Sequence, residues 1–173
     1  MKTAEAPLLI ADLVTRHARA GRLEWIGLRA KRKADVECVE TAEITEAGLE
    51  GDHGRAGRMA VTLIQAEHLP VIAALAGVER VRPEQLRRNL SISGINLLAC
   101  RKAILCIGDA EIEITGPCAP CSRMERAIGH GGYNAMRGHG GWYAAVVRPG
   151  RIAVGDAVTV VAGGGLAPGE AKG

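Results

Sequence analysis

Phenylalanine is absent from the chain, and the aromatic content is two Trp and two Tyr. Proteins that bind single-stranded nucleic acid stack bases on rows of rings, and these are missing. A net charge of +3 supplies no basic field in their place. Both absences argue against a nucleic-acid partner. No apolar run approaches the roughly 20 residues that a membrane helix requires. The opening stretch "MKTAEAPLLIADLVTRHARA" is interrupted by Glu5 and Asp12, unlike the unbroken apolar centre of a signal peptide. A cytoplasmic protein with no membrane contact is expected. In that compartment Cys38, Cys100, Cys106, Cys118 and Cys121 are reduced thiols and not a disulfide framework.

Hydrophobic residues make up 47 % of the 173 positions and charged residues 24 %, the balance of one globular domain with its own core. There is no internal repeat and no linker. Residues 8–19, "LLIADLVTRHAR", suit an amphipathic helix ended by Gly21. "EWIGLRAKRKADVECVETAEIT" reads as two strands joined by the basic turn "RAKRKAD". "AGLEGDHGRAGR" holds four glycines in twelve residues and reads as loop. "MAVTLI" is a strand. "QAEHLPVIAALAG" gives one helix, starting within a turn of Pro70, with Leu69, Ile72, Ala73 and Ala76 on one face, and Pro83 opens a short second helix. "NLSIS", "AILCI", "AEIEIT", "WYAAVV", "RIAVG" and "AVTVVA" are further strands. Cys106 and Cys38 read as packed strand residues. About nine short strands with one or two helices indicate a mainly β protein, a barrel or sandwich. The expected division is a helical extension over 1–21, a β domain over 22–161 and a disordered tail over 162–173.

"GPCAPCSRM" sets Cys118 and Cys121 three apart, which leaves three readings open. A redox pair suits the helix-forming "CSRMERAIG" that follows, but the surrounding βαβ pattern is missing. A zinc site would add His130 and His139, at intervals unlike common zinc spacings, from a glycine-rich loop. The third reading is a turn with two buried thiols, which composition favours. The loops near the strand ends also collect groups suited to an anion: Arg29, Arg32, His53, Arg58, Arg87, Arg88, Asn89, Arg123, Arg137 and His139. Glycines beside them let backbone N–H groups approach a ligand closely. Any one arginine is as easily a solvated surface charge. The clustering is what points to phosphate or carboxylate. Asp52 is as suited to ordering its loop as to touching a ligand.

"EWIGLRAKR", "GLEGDHGRAGR", "VTLIQAEHL", "LRRNLSISGINLL" and "TGPCAPCSRM" with "GGYNAMRGHGGW" occur in this order between about residues 22 and 160. Together they resemble the MOSC family, the domain found at the C-terminus of molybdenum cofactor sulfurases, and most of all its small stand-alone bacterial members. The resemblance implies a closed β-barrel, like the barrel domain of pyruvate kinase, with peripheral helices. It also implies molybdenum bound to molybdopterin as cofactor, which ordinary overexpression would leave scarce. Cys121 would be the molybdenum ligand or the sulfur carrier, with Cys118 a supporting thiol replaceable at little structural cost. Arg123 sets a cation two residues after Cys121, and Thr62 and Asn134 join the anion-suited groups as candidate cofactor contacts. The expected pocket is lined by residues 29–32, 51–62 and 121–139.

Two functions follow from the resemblance. One is a reductase of N-hydroxylated or N-oxygenated compounds, with electrons from a separate electron-transfer protein, because no flavin or iron–sulfur motif is visible. The other is a persulfide or molybdenum-cofactor carrier acting with a separate pyridoxal-phosphate-dependent cysteine desulfurase. A domain that only binds a partner is opposed by the retained "PC" and glycine loops.

Overall fold

A computed structural model describes residues 7–161 of the chain. Eleven strands and five short α-helices are formed among the described residues. The strand β1 (Gly21–Leu28) is followed by β2 (Glu37–Val39), β3 (Thr41–Thr45), β4 (Gly48–Leu49) and β5 (Val61–Gln65). The helices α2 (His68–Ala76) and α3 (Pro83–Leu86) lead to β6 (Leu90–Ser93). The hairpin β7 (Ile104–Ile107) and β8 (Ala110–Pro117) precedes α4 (Ser122–Ile128) and α5 (Gly132–Met136). β9 (Trp142–Arg148), β10 (Gly150–Ala153) and β11 (Ala157–Val160) complete the described residues. Seven strands run in the order β11-β7-β8-β9-β5-β6-β1 and close into a barrel, because β1 also pairs with β11 through Gly21↔Val158. β5 and β6 are parallel and all other neighbours antiparallel. β2 extends the far end of β1, and β10-β3-β4 form a small second sheet.

Alternation explains the closure. In β8, Ala110, Ile112 and Ile114 point inward while Glu111 and Glu113 point outward. Leu23, Ile26, Leu63, Ile92, Leu105 and Val158 complete the barrel interior at 0 % exposure. Each such side chain contributes about 1.5–3 kcal/mol relative to exposure. The parallel β5–β6 step requires a crossover, which α2 and α3 supply. Their apolar faces, with α4 and α5, form a second core around Ile64, Ile72, Leu86, Met124 and Met136 on the outside of the barrel. The α2 face expected from the sequence is the one buried: Ile72 and Ala73 fully, Leu69 and Ala76 partly.

Several expectations are corrected. The N-terminal helix α1 spans only Ile10–Leu13. Leu8, Leu9, Ile10 and Val14 are exposed, and a helix with no surface to pack against does not propagate. Gly21 does not end that helix but opens β1, where a Cβ would collide with the Ile95 side chain and the Ser93 carbonyl. The strands number eleven, not nine. Glu40 breaks "VECVETAEIT" into β2 and β3 in different sheets, and Gly48-Leu49, read as loop, pairs with Ile44-Thr45. Helices are more numerous than expected, and the glycine-rich run is not all loop, since α5 lies within it. Cys38 lies on a strand but is exposed, Cys106 is half-buried, and Cys100 is the fully buried core thiol. Burial pushes its pKa up to about 11. The expected tail lies outside the described residues.

Gly141 sits where β9 begins, at φ +95°, and a Cβ there would run into the Leu63 carbonyl. Gly141→Ala is expected to cost about 2 kcal/mol or more. A thermal melt should show a Tm lower by about 5 °C.

Candidate functional site

The crossover returns to the barrel through Arg87-Arg88-Asn89, and each of the three side chains has a different task. The Asn89 carboxamide is 1 % exposed and fully used. Its Oδ1 accepts from Thr62 N–H (3.0 Å), Thr62 Oγ1 (2.9 Å) and Arg29 Nη2 (3.4 Å). Its Nδ2 donates to the Gly27 carbonyl at 3.2 Å. Three strand ends are thereby tied at one point. Arg29 forms a bidentate pair with Asp52, Nε to Oδ1 and Nη2 to Oδ2 both at 3.1 Å, and its backbone N–H donates to Oδ1 at 2.7 Å. Side-chain exposures of 14 % and 1 % make this a buried pair. His53 N–H donates to the Arg29 carbonyl at 2.8 Å. Asp52 therefore orders its loop, one of the two roles the sequence allowed.

Arg87 adopts φ +58°, a left-handed value. This turn aims its guanidinium at the 29–36 loop, donating to the Ala34 carbonyl (2.8 Å) and the Arg32 carbonyl (3.1 Å). Arg123 Nη1 donates to the same Arg32 carbonyl at 3.3 Å. Arg87 Nε is buried without a partner. Burial, then the charges of Arg123 and Arg29, hold the Arg87 pKa below the ordinary arginine value, with Asp35 and Asp52 opposing. Arginines thus converge on one loop while their donors go to carbonyls, so most of their charge stays uncompensated.

Cys121 is the N-cap residue of α4, exposed, with no side-chain capping bond. Cys118 differs from the expectation of a freely replaceable turn residue. It is 5 % exposed, its N–H donates to the Gly141 carbonyl at 2.8 Å, and its carbonyl faces Arg88 Nη2 at 3.5 Å. Arg88, buried at 6 % exposure, also donates to the carbonyls of Gly140 (2.9 Å) and Leu86 (2.7 Å). It clamps the cysteine loop to the glycine loop. Tyr143 pairs with Gly116 in the β8–β9 ladder, beside the start of the cysteine loop. Hydrogen-bonding to the Cys118 thiol, then burial and the Cys118 and Cys121 charges, raise its pKa, and Arg88 opposes.

A cavity of about 670 Å3 opens beside this loop, lined among others by Cys118, Trp142, His139, Arg137, Leu98 and His68. None of Arg29, Arg32, Arg87 or Arg123 lines it. The candidates are therefore divided. Arg29, Thr62, Asn89, His53, Arg32 and Arg123 gather around the 29–36 loop. Arg137 and His139 belong to the cavity. Arg58 is bonded to the Thr115 carbonyl at 3.3 Å, and Asn134 is exposed on α5 outside the cavity lining. The sequence reading missed Tyr143, Trp142 and His68, which carry no local motif. Among the described residues no three His, Cys, Asp or Glu side chains group to hold a metal ion. A metal at Cys121 would take one thiolate from the protein and bring its other ligands with it.

The closed barrel thus sets the start of α4, with its exposed Cys121, against the arginine-rich 29–36 loop through Arg123. Residues 50–159 match the MOSC domain model, and the chain belongs to that family. Its fold is similar to the crystal structure of the YuaD protein from Bacillus subtilis, at TM-score 0.70 and 19 % identity over 81 % of this chain and 94 % of that one. YiiM from Escherichia coli aligns at TM-score 0.64 and 24 % identity over 81 % and 69 %. YiiM from Geobacillus stearothermophilus aligns at 0.68 and 18 % over 82 % and 75 %. At these identities the likeness is one of fold. Comparison with curated protein sequences gives no significant match.

Two outcomes check this geometry. Asp52→Ala leaves Arg29 buried without its carboxylate and is expected to cost about 3–5 kcal/mol, read from a urea midpoint. Burial, then the His139 charge, hold the His68 pKa below the usual 6.5, with Glu67 opposing. The unfolded chain therefore binds a proton at His68 more readily than the folded one, and this stability contribution falls as pH drops through 6.5. Urea midpoints between pH 7.5 and 5.5 should decline less in His68→Gln than in the wild type.

Proposed function

We propose that the chain binds molybdenum cofactor, with Cys121 as the protein ligand to molybdenum, and reduces N-hydroxylated or N-oxygenated compounds. Family membership motivates this reading, and one observation carries it onto particular residues. The only described cysteine at a helix start, Cys121, presents a thiol without a capping bond, and Arg123 on the same helix reaches the arginine-lined 29–36 loop. The donor set suits the group. A soft thiolate matches a sulfur-rich molybdenum centre. Arg32, Arg87 and Arg123 offer cationic donors for a pterin phosphate, and Arg87 Nε is buried with no partner. When bound, the cofactor supplies a two-electron redox centre. The chain's own residues divide the remaining work. The Arg29–Asp52 pair and Asn89 hold the anion-facing loop in place. Arg88 holds the cysteine loop. Tyr143, with its raised pKa, keeps its proton at neutral pH. The balanced reaction is R–NH–OH + 2 e⁻ + 2 H⁺ → R–NH2 + H2O, with both electrons from a separate electron-transfer protein. No described helix is long and apolar enough to cross a membrane.

The exposure of Cys121 also favours a second reading. A thiol accessible to another protein can accept a persulfide from a pyridoxal-phosphate-dependent cysteine desulfurase and pass it on. Metal content separates the two. One molybdenum and one pterin per chain, from a host that makes the cofactor, support the reductase, whereas labile sulfane sulfur without metal supports the carrier.

Cys121→Ser should reduce bound molybdenum and N-hydroxy reductase activity to background with an unchanged melt, because a serine hydroxyl is not ionised near neutral pH. Cys118→Ser should keep both within about tenfold, some 1.4 kcal/mol in the barrier, but melt lower, because it places a hydroxyl where a buried thiol sits. Full metal retention in Cys121→Ser would remove it as the ligand.

A further inference from the structure

The cavity beside Cys118 is left unused by this reading, since the arginines assigned to the cofactor phosphate do not line it. Its volume, about 670 Å3, lies in the range of small-molecule sites. Its walls are mainly apolar. Leu98 from the 3-10 turn Leu97–Cys100, Tyr133 from α5 and Trp142 from β9 face a common space. Leu98 and Tyr133 are 59 % and 42 % exposed. Two flat rings and an aliphatic side chain across a half-enclosed space select a flat apolar body.

The polar groups are few. The His139 imidazole stands edge-on to His68, ring centroids 4.9 Å apart and planes at 77°. Its Nδ1 is buried and has no partner. Native interiors leave few such atoms unpaired, but this one is closed to solvent and so is not a contact for a ligand in the cavity. Two imidazolium rings at that spacing would repel, and burial with the His139 charge keeps the His68 pKa low. No Asp or Glu lines the cavity. Glu67, next to His68, spends its carboxylate on the Gln65 side chain and the Gly94 N–H. Arg137, two residues before His139, lines the same space, is exposed, and makes no side-chain hydrogen bond or ion pair among the described residues. The lining therefore holds one permanent cation, Arg137, and no carboxylate.

We propose that this cavity is a binding site for a small aromatic monocarboxylate, its ring between Leu98, Tyr133 and Trp142 and its carboxylate pairing with Arg137. The site is separate from the one proposed for the cofactor phosphate. Its ligand would lie against Cys118 and the loop that leads to Cys121, so occupancy would bear on access to that thiol. No covalent or redox step is involved.

The test uses 2-naphthoate as probe and the full-length protein, made in a host unable to synthesise molybdenum cofactor. Failure of the molybdenum reading then leaves this result untouched, and the converse holds. Calorimetric titration is expected to show saturable binding of one naphthoate per chain. The neutral analogue 2-naphthylmethanol should bind at least about tenfold more weakly, because it lacks the charge that Arg137 pairs. Arg137→Gln should weaken naphthoate binding by about tenfold while leaving the alcohol nearly unchanged. Arg137 is exposed, so its variant keeps the fold. Absence of saturable binding, equal affinity for acid and alcohol, or a loss caused by Arg123→Gln in place of Arg137→Gln would overturn the proposal.

Discussion

The structure depends on one buried carboxamide. Asn89 stands at the point where the parallel pair β5–β6 begins, and it accepts from Thr62, receives Arg29 and donates to Gly27. A parallel step in an otherwise antiparallel barrel brings two strand starts together at one end. Their first N–H and C=O groups then lack the ladder partners that a hairpin would supply. An asparagine carries both donor and acceptor in one plane and satisfies them together. From that point the arginines on either side take their directions: Arg88 inward to the carbonyls of the cysteine and glycine loops, Arg87 outward to the 29–36 loop.

This arrangement uses arginine in an unusual proportion. Arg29 alone of the group has a buried carboxylate, Asp52. Arg87, Arg88 and Arg123 spend their side-chain donors on backbone carbonyls. Carbonyl dipoles satisfy hydrogen bonds without cancelling charge, so the loops are held rigid while a positive field persists around them. The same carbonyl bonds explain why the glycines are needed. At Gly140 a Cβ would strike the Cys118 carbonyl, and at Gly141 the Leu63 carbonyl. The cysteine loop, the glycine loop and β5 therefore approach backbone to backbone, with the arginine side chain closing the gap.

Much of the fold was legible in the chain. The alternation of "AEIEIT", the turn at Gly108-Asp109 and the apolar face of "HLPVIAALA" each specify a local structure through periods of two and 3.6 residues, and those elements form where expected. The N-terminal segment shows where such reasoning ends. Its apolar residues have helical spacing, but nothing in the barrel receives them, and only Ile10–Leu13 is helical. The exposed Cys38 fails for a related reason. A strand pattern says which residues share a face, but not which face another layer covers.

The site divides in the same manner. The sequence by itself determined the chemical inventory: an arginine-rich set of loops, glycines that permit close backbone approach, and two cysteines three apart before a helix. Residue types and short spacings carry that information, because local sterics and propensities decide turns and helix starts. Only the tertiary structure decided how the inventory is shared out. It turned Arg88 and Asn89 into buried braces and separated Arg137 and His139 from the arginine loop. It also left Cys121 open while covering Cys118. Those outcomes depend on contacts between residues tens of positions apart, such as Asn89 with Gly27 and Arg123 with Arg32, and such pairings exist only once the barrel has closed.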